Sequence, residues 1–117
     1  MAIYHLFAGI AVADYDSTLP WYTRFFGRSP DIIPTENESM WQVTGNGNIY
    51  VVSNPSRAGK SLLTLMVDDL ESHVTQLRER GIEPSSTENA PGLYHKAIYT
   101  DPEGNMVTLG QLLGAGA

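Results

Sequence analysis

The sequence predicts an α+β fold in which one βαβββ module is followed by a second copy of itself. Three observations predict it. Strand, helix and hairpin signals recur in the same order, two short stretches match across the halves, and a polar segment rich in breakers separates them. Ile10-Ala11-Val12-Ala13-Asp14 matches Leu65-Met66-Val67-Asp68-Asp69, and Gly47-Asn48-Ile49-Tyr50-Val51-Val52 matches Gly104-Asn105-Met106-Val107-Thr108-Leu109. Chance could give either match alone. Both in one order point to a pseudo-symmetric pair rather than a solenoid, which needs more repeats.

The elements follow in order. Ile3 to Ala13 is apolar and β-capable, and Asp14-Tyr15-Asp16-Ser17 supplies helix-capping residues, with Pro20 expected in the first turn. Leu19, Tyr22 and Phe26 share a helical face, and Gly27 suits a left-handed ending. Pro30 and Pro34 bracket a short extended piece. Ser39 to Thr44 and Ile49 to Ser53 read as strands around Gly45-Asn46-Gly47-Asn48. Asn54 to Lys60 is the linker, so the modules cover about 1–53 and about 61–113 of one domain. In the second module Ser61 to Val67 is a strand, Asp68 to Ser72 opens a helix with Leu70, Val74 and Leu77 on its apolar face, and Gly81 closes it. Ser85 to Gly92 reads as a loop that could cover a cleft. Leu93 to Thr100 and Asn105 to Leu109 form the last strand pair around Asp101-Pro102-Glu103-Gly104.

Composition narrows the function. The 117 residues are 42% hydrophobic and 17% charged, an ordinary globular mix with room for one core. No apolar run approaches the ~20 residues of a spanning helix. No basic residue precedes Ile3 to Val12, and the first is Arg24, so neither a secretory signal nor a membrane partner is expected. The absence of cysteine excludes disulfides, thiolate metal sites and a Cys nucleophile, and suits a cytoplasmic location. A net charge of −6 with seven Lys+Arg spread thinly excludes the basic stripe of a nucleic-acid binder. It either favours a cationic ligand or only keeps the chain dispersed.

A strand ending in Val-x-Asp, a helix with Trp21-Tyr22 then Phe26-Gly27, and the late Asp101-Pro102-Glu103-Gly104-Asn105 turn together resemble the vicinal oxygen chelate superfamily. That group holds glyoxalase I, extradiol dioxygenases and fosfomycin- and bleomycin-resistance proteins. The resemblance covers nearly the whole chain, and the turn is its most specific element. It implies two modules whose curved mixed sheets surround a cleft, often completed in a homodimer by exchanged modules. It also implies a divalent metal held at four positions, on the first and last strand of each module, by His or carboxylate donors. Carried onto this sequence, those positions are Phe7, Val51, Leu62 and Thr108, and none supplies a normal ligand. Their neighbours by one residue are no better. Neither a metal nor any other cofactor is expected.

Alternation of strand side chains extends the reading to the cleft. It places His5, Phe7, Gly9 and Ala11 beside Lys60, Leu62, Thr64 and Met66 on the cleft face, joined by Ile49, Val51, Ser53, Met106, Thr108 and Gly110. By analogy with the fosfomycin-resistance members, Tyr94, Lys96 and Ile98 face it, with Glu38, Met40 and Gln42 opposite. This describes either a small-molecule site with an apolar floor or a core filled by its own side chains. The ligand-contact candidates are Phe7, Gln42, Val51, Leu62, Thr64, Met66, Lys96, Ile98, Met106 and Thr108.

Weak acid–base candidates are His5, Glu38, Tyr94 and Lys96. Each has a plainer reading. His5 sits at the strand's start and suits a solvated rim, and Lys96 would pair with Glu38. His73 belongs to a helix flank, and His95 points away from Lys96. The expected function is therefore a metal-independent small-molecule binding protein of the bleomycin-resistance type, with a cationic or aromatic ligand. The alternatives are a lyase, isomerase or dioxygenase of the same family, with a displaced metal or acid–base residues alone, and a structural or regulatory dimer without ligand.

Overall fold

The computed structural model describes residues 2–114. The first module runs β1 (Leu6–Val12), α1 (Tyr15–Phe26), β2 (Ile32–Thr35), β3 (Glu38–Thr44) and β4 (Gly47–Ser53). The second repeats the order as β5 (Leu62–Met66), α2 (Leu70–Glu79), β6 (Ser86–Ala90), β7 (Tyr94–Thr100) and β8 (Met106–Leu112). Each module closes its own four-stranded sheet, ordered β1-β4-β3-β2 and β5-β8-β7-β6. The pairs β1/β4 and β5/β8 are parallel and the rest antiparallel. This is the α+β pair of βαβββ modules that the sequence predicts.

Local chemistry sets the helices. Asp14 and Asp69 cap α1 and α2, their carboxylates accepting the Ser17 and Ser72 amides at 3.2 Å. Gly27 ends α1 with φ 76°, a conformation glycine adopts without strain. Pro20 lies deeper than expected, inside α1 past its first turn. Its missing N–H would have bonded the Asp16 carbonyl, and both residues are exposed.

Residues 86–90, read as loop, form β6 instead. Apolar alternation is missing from Ser-Thr-Glu-Asn-Ala, because four of its five residues face water. Backbone pairing with β7, from Ser86↔Ile98 to Ala90↔Tyr94, holds it in place.

One core joins both modules. Ile10, Val12, Trp41, Ile49 and Val51 of the first sheet meet Trp21, Tyr22 and Phe25 of α1, and the cluster continues into Leu77, Tyr99, Val107 and Leu109. Phe25 stacks edge-on against Tyr99 at 5.5 Å, so α1 packs on the second sheet as well as its own. Burying each such side chain contributes about 1.5–3 kcal/mol. The Asp101–Asn105 turn locks the modules further. Tyr22 donates its hydroxyl to Asp101 at 2.6 Å, and Asn105 donates to the Ala11 carbonyl at 3.0 Å.

The register corrects one expectation. Phe7 pairs with Asn48 and Gly9 with Tyr50, whereas Leu62 pairs with Met106 and Thr64 with Thr108. Since Phe7 corresponds to Leu62, Tyr50 corresponds to Thr108, and Gly47 to Asn105 rather than Gly104. The sequence match was therefore one residue out, and a one-residue slip exchanges every face of a strand. Val51 and Ile49 lie beneath α1 in the core, Val51 at 0% exposure, and are not cleft residues. Ser53 shares their side of β4. Asn48, Tyr50 and Val52 take their places on the other face.

Candidate functional site

Both helices cover one side of the sheets, which leaves the opposite face of each sheet without a helix. Phe7, Leu62, Thr64, Met66, Lys96, Ile98, Met106 and Thr108 stand on this helix-free face by their strand pairings, as expected. Phe7 is 54% exposed, Leu62 77% and Met66 51%. These apolar side chains are uncovered in the single chain. Gln42 shares the parity of Met40, but its amide turns back to the Gly45 carbonyl at 3.2 Å.

Two residues that the sequence reading missed shape the face. The Tyr50 ring lies over Gly9, where an added Cβ would meet Cζ at 2.5 Å. Asn48 is buried beneath His5, their side chains 2.6 Å apart. An aromatic residue cross-strand from glycine is a signal that could have found Tyr50, given the right register.

The four positions that the resemblance assigns to a metal are, with β4 corrected, Phe7, Tyr50, Leu62 and Thr108. Two carry no donor atom, and the other two offer only hydroxyl oxygens, poor ligands for a divalent ion. Among the described residues no three His, Cys, Asp or Glu come together to hold a metal ion. The donor set does not fit a divalent metal at those positions.

The acid–base candidates are not assembled. His5 bonds Asn48 and stacks on Phe7 at 4.7 Å, at the start of the first sheet. Tyr94 donates to Glu88 at 2.7 Å, which holds its phenol above the ordinary value. Lys96 rests over the Tyr94 ring, 4.6 Å from its centroid, and forms no pair with Glu38. Glu38 lies in the other sheet, across from Val52. No nucleophile–base pair results. His73 is half-buried on α2, and His95 turns to Asn89 at 2.7 Å.

At the junction of the modules, Arg57 and Lys60 of the linker border Gly9 and Ala11. Around the helix-free face Arg57, Lys60 and Lys96 stand against Glu38 and Glu88, so these groups carry no excess of negative charge although the chain is acidic. The arrangement suits a planar apolar molecule more than a simple cation.

Residues 3–109 match the family model described as Glyoxalase/Bleomycin resistance protein/Dioxygenase superfamily. Among solved structures, a glyoxalase/bleomycin resistance protein from Catenulispora acidiphila DSM 44928 is similar at 34% identity, over 94% of this chain and 99% of that one, with a TM-score of 0.90. TnmS3, an antibiotic binding protein from Streptomyces sp. CB03234, shares the fold with a TM-score of 0.76 at 24% identity, over 96% and 98% of the two chains. Lactoylglutathione lyase from Agrobacterium tumefaciens does so with a TM-score of 0.71 at 16% identity, over 94% and 92%. No curated protein matches the chain.

Proposed function

The chain belongs to the glyoxalase/bleomycin resistance protein/dioxygenase superfamily, and we propose that within it this protein is a metal-independent binder of a small aromatic or cationic molecule. The observation that carries the reading is the side-chain set Phe7, Tyr50, Leu62 and Thr108. Where the family's enzymes need metal donors, this chain offers ring and aliphatic surface. The lack of excess negative charge around the same face favours the aromatic ligand over a cation. The antibiotic-binding relative TnmS3 supports a sequestering role rather than turnover.

A homodimer is part of the same reading. Exposed apolar residues on both helix-free faces are a poor surface for a lone chain, and a second copy laid across them would turn two open faces into clefts. A cytoplasmic location suits the cysteine-free composition.

Calorimetry against aromatic antibiotics, cationic glycopeptides and simple aromatic metabolites tests the binding. Saturable binding weakened by Phe7→Ala and Thr108→Trp is expected. Stoichiometric Fe, Ni, Zn or Mn after native purification, or no binding by any ligand in the panel, overturns the reading. Sedimentation of the same samples tests the dimer.

A further inference from the structure

The two modules meet at two pseudo-equivalent junctions, and only one is filled. Corresponding helix caps at Asp14 and Asp69 make Thr18 the mate of His73, Tyr22 of Leu77 and Phe25 of Arg80. The pairings Gln42↔Asn48 and Thr100↔Met106 make Val43 the mate of Asp101 and Gly45 the mate of Glu103. At the filled junction Asp101 accepts from Tyr22, and the Glu103 carboxylate accepts from the Ala13 and Asp14 amides at 2.6 and 2.8 Å and from the Thr18 hydroxyl at 3.0 Å.

At the other junction Val43 and Gly45 have no carboxylate to extend, and Leu77 has no hydroxyl. Among the described residues no hydrogen bond joins Thr44–Asn48 to α2. What remains is a pocket of ≈ 550 Å³, floored by Phe25, Phe26, Val43, Leu65, Leu77 and Leu109. That volume is in the range of small-ligand sites.

Its rim carries two guanidiniums. Arg28 and Arg80 line it beside His73, and none of the chain's thirteen Asp+Glu does. In a protein of net charge −6 that is a local departure from the acidic average. Arg80 uses Nε and one Nη2 donor on the Arg24 and Phe25 carbonyls, which leaves further guanidinium N–H groups uncommitted. Arg28 pairs with Asp31, exposed beside the pocket.

We propose that this inter-module pocket binds a small amphipathic anion, a carboxylate with a compact apolar tail, at a site separate from the helix-free faces. The tail takes the floor, and the carboxylate meets the guanidinium donors that Arg80 leaves uncommitted at the rim. Guanidinium donors bind it by charge-assisted hydrogen bonds.

Octanoate and phenylacetate are the probes, with octanamide as the neutral control, followed by calorimetry and by amide chemical-shift mapping of the whole chain. Saturable binding of an acid is expected, with shifts centred on Val43, Leu65, His73 and Leu77 and weaker binding of the amide. Three variants sharpen the result. Val43→Trp fills the floor. Gly45→Glu places the chain's own carboxylate at the mate of Glu103, where an added Cβ meets nothing within 4 Å. Arg28→Gln removes a rim charge. Each should lower affinity roughly ten-fold or more, while Met106→Trp on the helix-free face leaves it unchanged. Absence of saturable binding overturns the proposal, as do shifts confined to Phe7 and Met106, or affinity indifferent to Val43→Trp and Gly45→Glu. These outcomes stand apart from the aromatic-ligand panel, which reads the other face.

Discussion

The Tyr50 ring packs against Gly9 so closely that a Cβ at Gly9 would lie 2.5–2.8 Å from Cζ, Oη and Cε2. Gly9 sits in regular pairing with Tyr50, so space and not backbone freedom is what requires glycine there. The atoms that would clash belong to the end of a side chain on an open face, and they can swing away. Gly9→Ala should therefore displace the ring at a stability cost under about 1 kcal/mol. In the wild type the Gly9 Hα resonances should carry a ring-current shift, lost in both Gly9→Ala and Tyr50→Leu. A Gly9 spectrum indifferent to Tyr50→Leu would show that the ring lies elsewhere. If an aromatic ligand uses this face, its affinity should change in both variants.

The Tyr22–Asp101 bond is the opposite case, buried and joining the modules. Burial first, then Asp101, pushes the Tyr22 phenol far above its ordinary value, so it stays a donor at all working pH. Asp101 also accepts from the Glu103 and Asn105 amides and from the Asn105 side chain, at 2.8–2.9 Å. Tyr22→Phe removes one donor from a buried carboxylate and should cost about 1.5–3 kcal/mol. Urea denaturation should show a lower midpoint with an unchanged slope. A midpoint within error of wild type would mean that the bond adds nothing to the junction.

Much of this was legible in the sequence, and what was not has physical reasons. Alternation read the faces of β1, β5, β7 and β8 correctly, because one face of each is apolar and covered. It failed in β4, where every residue from Ile49 to Val52 is apolar or aromatic and the strand has no polar side to betray its register. The match was then anchored on a shared Gly-Asn pair, one residue off. β6 failed for the reverse reason, being polar in all but Ala90. The Asp101–Asn105 turn was recognised as a motif, yet its partners lie 79 to 94 residues away, beyond any local pattern. The inter-module pocket comes from side chains that are missing at Val43 and Gly45, and an absence shows only beside its filled mate.

Glu103 gives a pH prediction. Burial would raise its carboxyl, but donation from Ala13, Asp14 and Thr18 outweighs that and holds it below the usual value. A carboxyl lowered in the folded state stabilises the fold above its unfolded pKa of about 4.3, and loses that contribution as pH falls through the folded value. Midpoints in urea should fall between pH 5 and about 3 for the wild type, and fall less for Glu103→Gln. At pH 7 Glu103→Ala should cost about 0.5–2 kcal/mol, the range for losing a helix N-terminal acceptor. Parallel pH profiles for wild type and Glu103→Gln would dismiss the capping role.

Tyr99 turns the same deletion the other way. Its hydroxyl is fully buried and no protein group bonds it. Burial, the largest influence, raises the phenol above its ordinary pKa, although Arg78 pulls downward. Tyr99→Phe keeps the ring against Phe25 and breaks no bond within the protein, while it removes a polar atom that lost its water on folding. It should raise stability by about 1 kcal/mol, whereas Tyr22→Phe lowers it, though both rings pack against the same helix–sheet core. A Tyr99→Phe variant less stable than wild type by that amount would mean that the hydroxyl is satisfied in solution by a buried water, a partner whose loss costs as much as any side chain's.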